Sequence, residues 1–200
     1  MANSFILLIK NLNVRIVITG VPGTGKTEIA RVLAKQLGYP IIEINKVIED
    51  RKLWRVKDKF GARIALMAPL EKVLCEEMEK QKDVIVEGHL ACEFNLPADF
   101  VVVCRTDPDI LEKRLAERNY PNEKLEENIF AEMLDYCSVY VGQHYSSKNI
   151  IELDTTNKSS EESAAEILEA LKGAKPTKSN IDWSEKLMKR IGSQTNRNAR

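Results

Sequence analysis

Net charge is the first thing this chain lacks: 30 Lys and Arg balance 30 Asp and Glu over 200 residues. With no global field to draw in nucleic acid or an anionic membrane, any nucleic-acid role has to be local. Long apolar runs are missing too. No stretch reaches the roughly 18 residues of a membrane span, and Phe5 to Ile9 is too short for the apolar region of a secretion signal. The four cysteines, at 75, 92, 104 and 137, form no C-x-x-C pair and fall within apolar segments. That pattern disfavours structural zinc and predicts buried free thiols in a reducing, cytoplasmic compartment, or in a nucleus where the source has one. No internal repeat is visible. At 44% hydrophobic and 30% charged, the chain suits one α/β domain with a substantial core.

Gly20-Val21-Pro22-Gly23-Thr24-Gly25-Lys26-Thr27 is a complete G-x-x-x-x-G-K-T phosphate-binding loop. The run before it, Val14 to Thr19, is β-branched like a buried parallel strand, and Thr27 to Leu37 carries apolar residues at helical spacing. Strand, loop and helix thus come in the order the mechanism needs. Backbone N–H groups and the positive end of the helix face an anion, Lys26 adds positive charge for the outer phosphates, and the Thr27 hydroxyl suits Mg²⁺. The sequence therefore predicts binding of a nucleoside triphosphate, with Gly23, Thr24, Gly25, Lys26 and Thr27 as contacts.

Strands and helices alternate along the rest. The first helix should end at Gly38 with Pro40 beyond it, followed by a strand from Pro40 to Ile44. Asn45 to Met67 is charged and weakly periodic, which predicts an inserted, mobile segment before a helix opened by Pro69. Asp83 to Val86 and Phe100 to Cys104 read as strands three and four. Asp107-Pro108 caps a helix running to about Arg118, one long helix is predicted from Leu125 to Val141, and Ile150 to Leu153 is the fifth strand. Ser159 and Glu162 form a capping box for a helix ending near Gly173. Together these predict an α/β, three-layer fold around a five-stranded parallel sheet.

No N-K-x-D guanine reader is present, which disfavours a GTP switch. Glu87-Gly88-His89 places an acid at the end of strand three, beside the loop, suited to a water of the Mg²⁺ shell; a strand-end surface acid is the plainer reading. His89 has two readings, orienting a nucleophilic water or satisfying a backbone carbonyl. Arg114 and Arg118, spaced i and i+4, should emerge on one side of their helix, near the flexible stretch Asn119-Tyr120-Pro121-Asn122, where they would meet a transferring phosphoryl group or stack on a base. The alternative is a solvated face salt-bridged by Glu112 and Glu117. Arg105 divides between a catalytic part and a scaffold residue that bonds loop carbonyls. The tail, residues 173 to 200, holds seven Lys or Arg against two acids, a local charge of +5. Within it Trp183, Leu187, Met188 and Ile191 can share one face of a helix starting at Ser184, open to core docking, RNA, a partner protein, or plain solubility.

Gly20 to Thr27, Glu87-Gly88-His89, Arg105-Thr106-Asp107, Arg114 to Tyr120 and Lys124 to Ile129 together resemble the atypical adenylate kinases called isoenzyme six, over about residues 14 to 172. The resemblance implies a P-loop NTPase fold of the nucleoside monophosphate kinase type. Its kinase domain would span 1–172, with a monophosphate-binding segment at about 43–66 and a short lid at about 117–127, ahead of the 173–200 tail. It further implies phosphoryl transfer from ATP to AMP or another monophosphate, ATPase activity, and work in small ribosomal subunit maturation on a pre-ribosomal particle with a platform ribosomal protein. Gly23, Gly25, Lys26, Thr27 and Glu28 fall on the family's ATP-binding positions, Arg118 on its lid arginine, and Lys158 on a position near the adenine. Glu87 stands where many members have Asp. Glu49 occupies the place expected for the arginine that meets AMP, with Arg51 or Lys52 as substitutes. An ATPase assembly factor with little kinase activity, and a small-metabolite kinase, are the competing readings.

Overall fold

Ile16, Val17 and Ile18 are fully buried in the central strand β1 (Arg15–Thr19), so the chain's first apolar run has no solvent face. The computed structural model describes residues 14–56, 63–118, 121–146, 149–173 and 181–198, with the side chains of 193–198 excepted. β1 is flanked on one side by β5 (Val84–Glu87) and on the other by β6 (Phe100–Arg105), and β2 (Ile41–Glu43) and β7 (Ile150–Asp154) complete a sheet of order β2-β5-β1-β6-β7. All four pairings are parallel.

Alternation along the strands divides the core in two. Ile16, Ile18, Ile85, Val102 and Leu153 face α1 (Lys26–Leu37) and α7 (Ser160–Leu171), meeting Ile29, Leu33 and Ile167. Val17, Val84, Val86, Val101 and Val103 face the opposite layer. That layer holds α3 (Met67–Glu79), α4 (Pro108–Glu117), α5 (Asn122–Met133) and α6 (Tyr136–His144), which bring Leu74, Leu115, Ile129 and Val141 to the core. Each fully buried Leu or Ile contributes roughly 1.5–3 kcal/mol, which is why a helix-sheet-helix sandwich forms. The predicted five-stranded parallel sheet between helices is present. So is the capping box: Ser159 Oγ accepts from the Glu162 N–H at 3.1 Å, and Glu162 accepts from the Ser159 N–H at 2.8 Å.

Two expectations need correction. The inserted segment is ordered where described: α2 (Ile44–Asp50) is followed by an antiparallel hairpin, β3 (Trp54–Val56) and β4 (Arg63–Ala65). Its weak periodicity reflects elements of only three to seven residues, with Leu53 N–H bonding the Ile48 carbonyl at 2.9 Å. The long helix expected over 125–141 is two, α5 and α6, broken at Leu134 and Asp135, the latter at φ 54°. Arg105 holds the chain at the break. Fully buried, its Nη2 donates to the Glu132 carbonyl at 3.2 Å, which also accepts from the Asp135 N–H at 3.1 Å, and pairs with the Asp135 carboxylate, while Nε bonds Glu132 Oε1 at 2.7 Å. Arg105 is thus placed as scaffold, in the core beneath the site.

The tail carries a helix, α8 (Ser184–Asn198). The four apolar residues do not share a single buried face: Trp183 and Leu187 pack against the core, whereas Met188 and Ile191 are exposed. Lys175 and Lys178 lie outside the described residues, as do Asn119 and Tyr120 of the expected flexible stretch and the Phe5 to Ile9 run.

Candidate nucleotide-binding site

The phosphate loop leaves β1 at Gly20, where a Cβ would overlap the Cys104 carbonyl oxygen of the neighbouring strand. At Gly23, with φ +94°, a Cβ would come within 2.7 Å of Leu111 and 3.0 Å of Leu115 on α4. The loop is therefore clamped between β6 and α4, and only glycine fits either contact. Thr24 Oγ1 bonds back to the Val21 carbonyl at 2.9 Å, closing the turn, and Lys26 Nζ rests 3.5 Å from the same carbonyl. Burial pushes the Lys26 ammonium below its ordinary pKa, with the Glu87 carboxylate partly opposing the shift. A desolvated ammonium held against a polar loop is a strong attractor for anionic phosphate.

Glu87 ends β5 and is buried, and its Oε1 accepts a 3.0 Å hydrogen bond from Thr27 Oγ1 in the first turn of α1. The register also sets Glu43, at the end of β2, beside it. A hydroxyl and a carboxylate oxygen at the foot of a phosphate loop are hard donors fit for Mg²⁺, which typically takes few protein ligands and fills its shell with water and substrate phosphates. Among the described residues no cluster of three or more His, Cys, Asp or Glu is placed to hold a metal ion. His89 opens a short 3₁₀ turn (His89–Glu93) just past Glu87, and its carbonyl accepts from Thr19 Oγ1 at 3.1 Å and Cys92 Sγ at 3.1 Å. Its ring is held neutral: burial, then the Lys26 ammonium, lower its pKa to about 4.

Arg114 and Arg118 do reach one side of α4. Both line a cleft of roughly 290 Å³ together with Gly23, Glu28, Lys158 and Ser163. A second hollow of roughly 190 Å³ continues from it over Lys26 and Thr27, and Arg118 borders both. The two arginines differ in freedom. Arg114 Nη2 bonds the Thr155 and Thr156 carbonyls, each at 3.0 Å, so it is fixed as a wall of the cleft. Burial, with the neighbouring Arg118 guanidinium, lowers its pKa. Arg118, at the C-cap of α4, is exposed and faces the loop. Of the acids expected to neutralise this face, Glu117 lines the cleft, whereas Glu112 pairs with Arg190 of the tail at 3.1 Å. Lys158 pairs with Glu166 of α7.

One residue had no distinct signal in the sequence beyond its place after the fifth strand. The buried Thr155 hydroxyl lies 2.8 Å from the Thr24 carbonyl and 2.9 Å from the Arg105 carbonyl, its single proton serving one at a time, and 2.7 Å from Thr106 Oγ1. It ties the phosphate loop to the ends of β6 and β7. In the inserted segment, Glu49 is engaged by Arg63 at 3.0 Å, and the Arg63 guanidinium stacks 3.9 Å from the Trp54 ring centre. Arg51 pairs with Glu77 of α3 at 2.9 Å. Among the described residues no helix is long and apolar enough to cross a membrane.

Residues 16–135 match the profile of the AAA domain family. The chain is 39% identical to a protein of Methanocaldococcus jannaschii named "Putative adenylate kinase", covering 86% of this chain and 94% of that one. It is 37% identical to a protein of the same name from Thermococcus gammatolerans, covering 85% and 93%. Among solved structures, shikimate kinase from Acinetobacter baumannii superposes with a TM-score of 0.61 at 19% identity, covering 84% of this chain and 97% of that one. A gluconokinase from Sinorhizobium meliloti does so with a TM-score of 0.57 at 18% identity, covering 81% and 93%. These last two share the fold, a P-loop kinase sheet with the same flanking layers. The family profile over residues 16–135 and the 39% identity over most of both chains show that the chain belongs to the AAA domain family and to the family of the proteins named "Putative adenylate kinase".

Proposed function

We propose that this protein is an ATP-dependent nucleoside monophosphate kinase, converting ATP and AMP to two ADP, with hydrolysis of ATP as a side activity. The observation that carries the reading is the pair of adjoining hollows that share Gly23, Gly25, Glu28 and Arg118, one over Lys26 and Thr27 and the other reaching Arg114 and Lys158, with Glu87 bonded to Thr27 beside them. In this reading the base lies against Arg114 and Lys158, with Glu28 at the edge of both hollows, and the phosphates lie in the loop N–H groups of Gly23 to Thr27. Lys26 and Arg118 stabilise charge on the transferring group, because both are cations aimed where that charge develops. Thr27 and Glu87 would hold Mg²⁺, which supplies charge neutralisation between the phosphates when bound. A neutral His89 ring carries one unprotonated nitrogen, suited to accept a hydrogen bond from, and so orient, a water or acceptor hydroxyl.

A second reading rests on the Glu49–Arg63 pair. By the resemblance to isoenzyme six, Glu49 takes the sequence position expected for an arginine that meets AMP, and its engagement by Arg63 favours an ATPase that assists assembly of a ribonucleoprotein particle over an efficient AMP kinase. The resemblance to isoenzyme six points the same way, toward small-subunit precursors and a platform ribosomal protein. The test is a product assay with γ-labelled ATP, with and without each nucleoside monophosphate. Label appearing in ADP on addition of AMP supports the kinase, label appearing only as inorganic phosphate supports the ATPase, and no turnover under any condition overturns both.

A further inference from the structure

The C-terminal helix lies outside the region shared with the family profile, yet its charged face is spent inside the molecule. Trp183 Nε1 donates to Glu132 Oε1 at 3.2 Å, anchoring the start of α8 at the end of α5. Lys186 Nζ donates to Asp107 Oδ1 at 2.6 Å and Asp109 Oδ2 at 2.5 Å, both at the start of α4. Arg190 then grips two helices at once. Its Nη1 and Nη2 take the two Glu112 oxygens at 3.2 and 3.1 Å, while Nε and Nη2 take those of Glu126 at 3.1 and 2.6 Å.

Glu112 is on α4 and Glu126 in the first turns of α5, and Arg118 caps the end of α4. Glu112 sits roughly two turns before Arg118 on the same face-to-loop helix. That helix also presses Leu111 and Leu115 against Gly23, so any tilt of α4 is felt at the phosphate loop. Isolated surface ion pairs contribute little, but a planar guanidinium bidentate to two carboxylates fixes both geometrically. The Arg190 side chain is only 19% exposed, which limits screening of the pairs.

We propose that Arg190 is a positioning residue for the transfer reaction: by joining Glu112 to Glu126 it makes α4 and α5 move as one body and holds Arg118 over the phosphate loop. The inference rests on the reading of Arg118 as the lid arginine. It assigns the basic tail an internal task, a brace that pre-orders the closing arm of the site and so reduces what closure must organise.

The experiment uses the full chain and compares turnover and KM for ATP in Arg190→Ala, Arg190→Lys, Arg118→Ala and the Arg118→Ala/Arg190→Ala double variant, with Tm measured for each. Arg190→Ala should lower kcat by about 3- to 10-fold with little change in KM for ATP, as remote coupling of this kind does. Arg190→Lys, a point charge unable to serve both carboxylates bidentately, should fall between it and wild type. In the Arg118→Ala background the Arg190 effect should vanish, because one residue acts through the other. Glu126→Gln, which loosens one leg alone, should reproduce the loss and decides the matter if Arg190→Ala fails to fold. Unchanged kcat, or a loss that adds in full to that of Arg118→Ala, overturns the inference while leaving the kinase reading intact. A silent Arg118→Ala overturns the reading and the inference together.

Discussion

Thr27 Oγ1 donates a 3.0 Å hydrogen bond to Glu87 Oε1, linking the first turn of the loop helix to the end of the adjacent strand. The bond keeps both oxygens at the foot of the phosphate loop. Glu87→Gln retains an acceptor for Thr27 and loses the charge, so the fold should persist while the demand for Mg²⁺ rises. Turnover should fall roughly 10- to 100-fold at limiting Mg²⁺ and recover in part at high Mg²⁺. A Mg²⁺ titration indistinguishable from wild type would return Glu87 to a strand-end acid.

Lys26→Ala should abolish turnover, by roughly 10²-fold or more, since its ammonium is the desolvated cation at the transferring group. It should not destabilise the protein. Burial holds the folded pKa below the ordinary value, so below that lowered pKa the charged side chain is a cost to folding that disappears only as pH rises past the unfolded value. Thermal unfolding near neutral pH should give a Tm equal to or above wild type; a large fall would mean that the side chain has a structural role.

Arg118 and Arg114 should separate kinetically. Arg118→Ala should lower kcat more than it weakens ATP binding, because a lid arginine meets phosphate mainly in the closed site. Arg114→Ala should weaken ATP binding, and by losing its bonds to the Thr155 and Thr156 carbonyls it should also cost about 1–3 kcal/mol of stability. Equal kinetic effects and equal Tm values for the two variants would refute this division.

Much of this arrangement is legible in the sequence because its signals are local. The phosphate loop, the Gly38 end of α1, the Ser159 capping box and the acid closing β5 each depend on residues a few positions apart. Gly38 is indeed left-handed, with its N–H 2.7 Å from the Ala34 carbonyl. What escapes depends on distant partners. Nothing near residue 134 shows that a buried arginine from β6, far back in the chain, holds a helix break there. Likewise, no local pattern reveals that Lys186 and Arg190 pair with α4 and α5, so the tail's charge reads as free. The Arg114 spacing places it on the right face, but only the fold shows it tied to carbonyls after β7.

The Arg105 cluster gives a stability prediction. Arg105 and Glu132 are each 2% exposed, so removing Arg105 leaves Glu132 a buried carboxylate without its ion-pair partner. Arg105→Ala should therefore destabilise by about 3–5 kcal/mol, whereas replacing exposed Arg31, paired with Glu28, should cost under about 1 kcal/mol. Urea unfolding measures both. A near-neutral Arg105→Ala would mean that solvent or Trp183 can satisfy Glu132 without it.

His89 makes the acid side of the stability curve testable. Its folded pKa is about 4, against 6.5 ordinarily, so between those values the unfolded chain holds the proton that the folded one refuses. The contribution of neutral His89 is thus present in full above pH 6.5 and is lost as pH falls through about 4. His89→Asn removes the titrating group while keeping a polar side chain. Between pH 7 and 4.5 the wild type should lose about 2 kcal/mol more stability than the variant, after allowance for partial exposure. The same shift bears on chemistry: because the ring stays neutral near pH 6, the acid limb of the kcat profile assigned to His89 should fall near pH 4 to 5, absent in His89→Asn. Parallel stability curves for the two proteins, or a wild-type limb at pH 6.5 that the variant lacks, would show that the ring is neither desolvated nor beside the Lys26 ammonium.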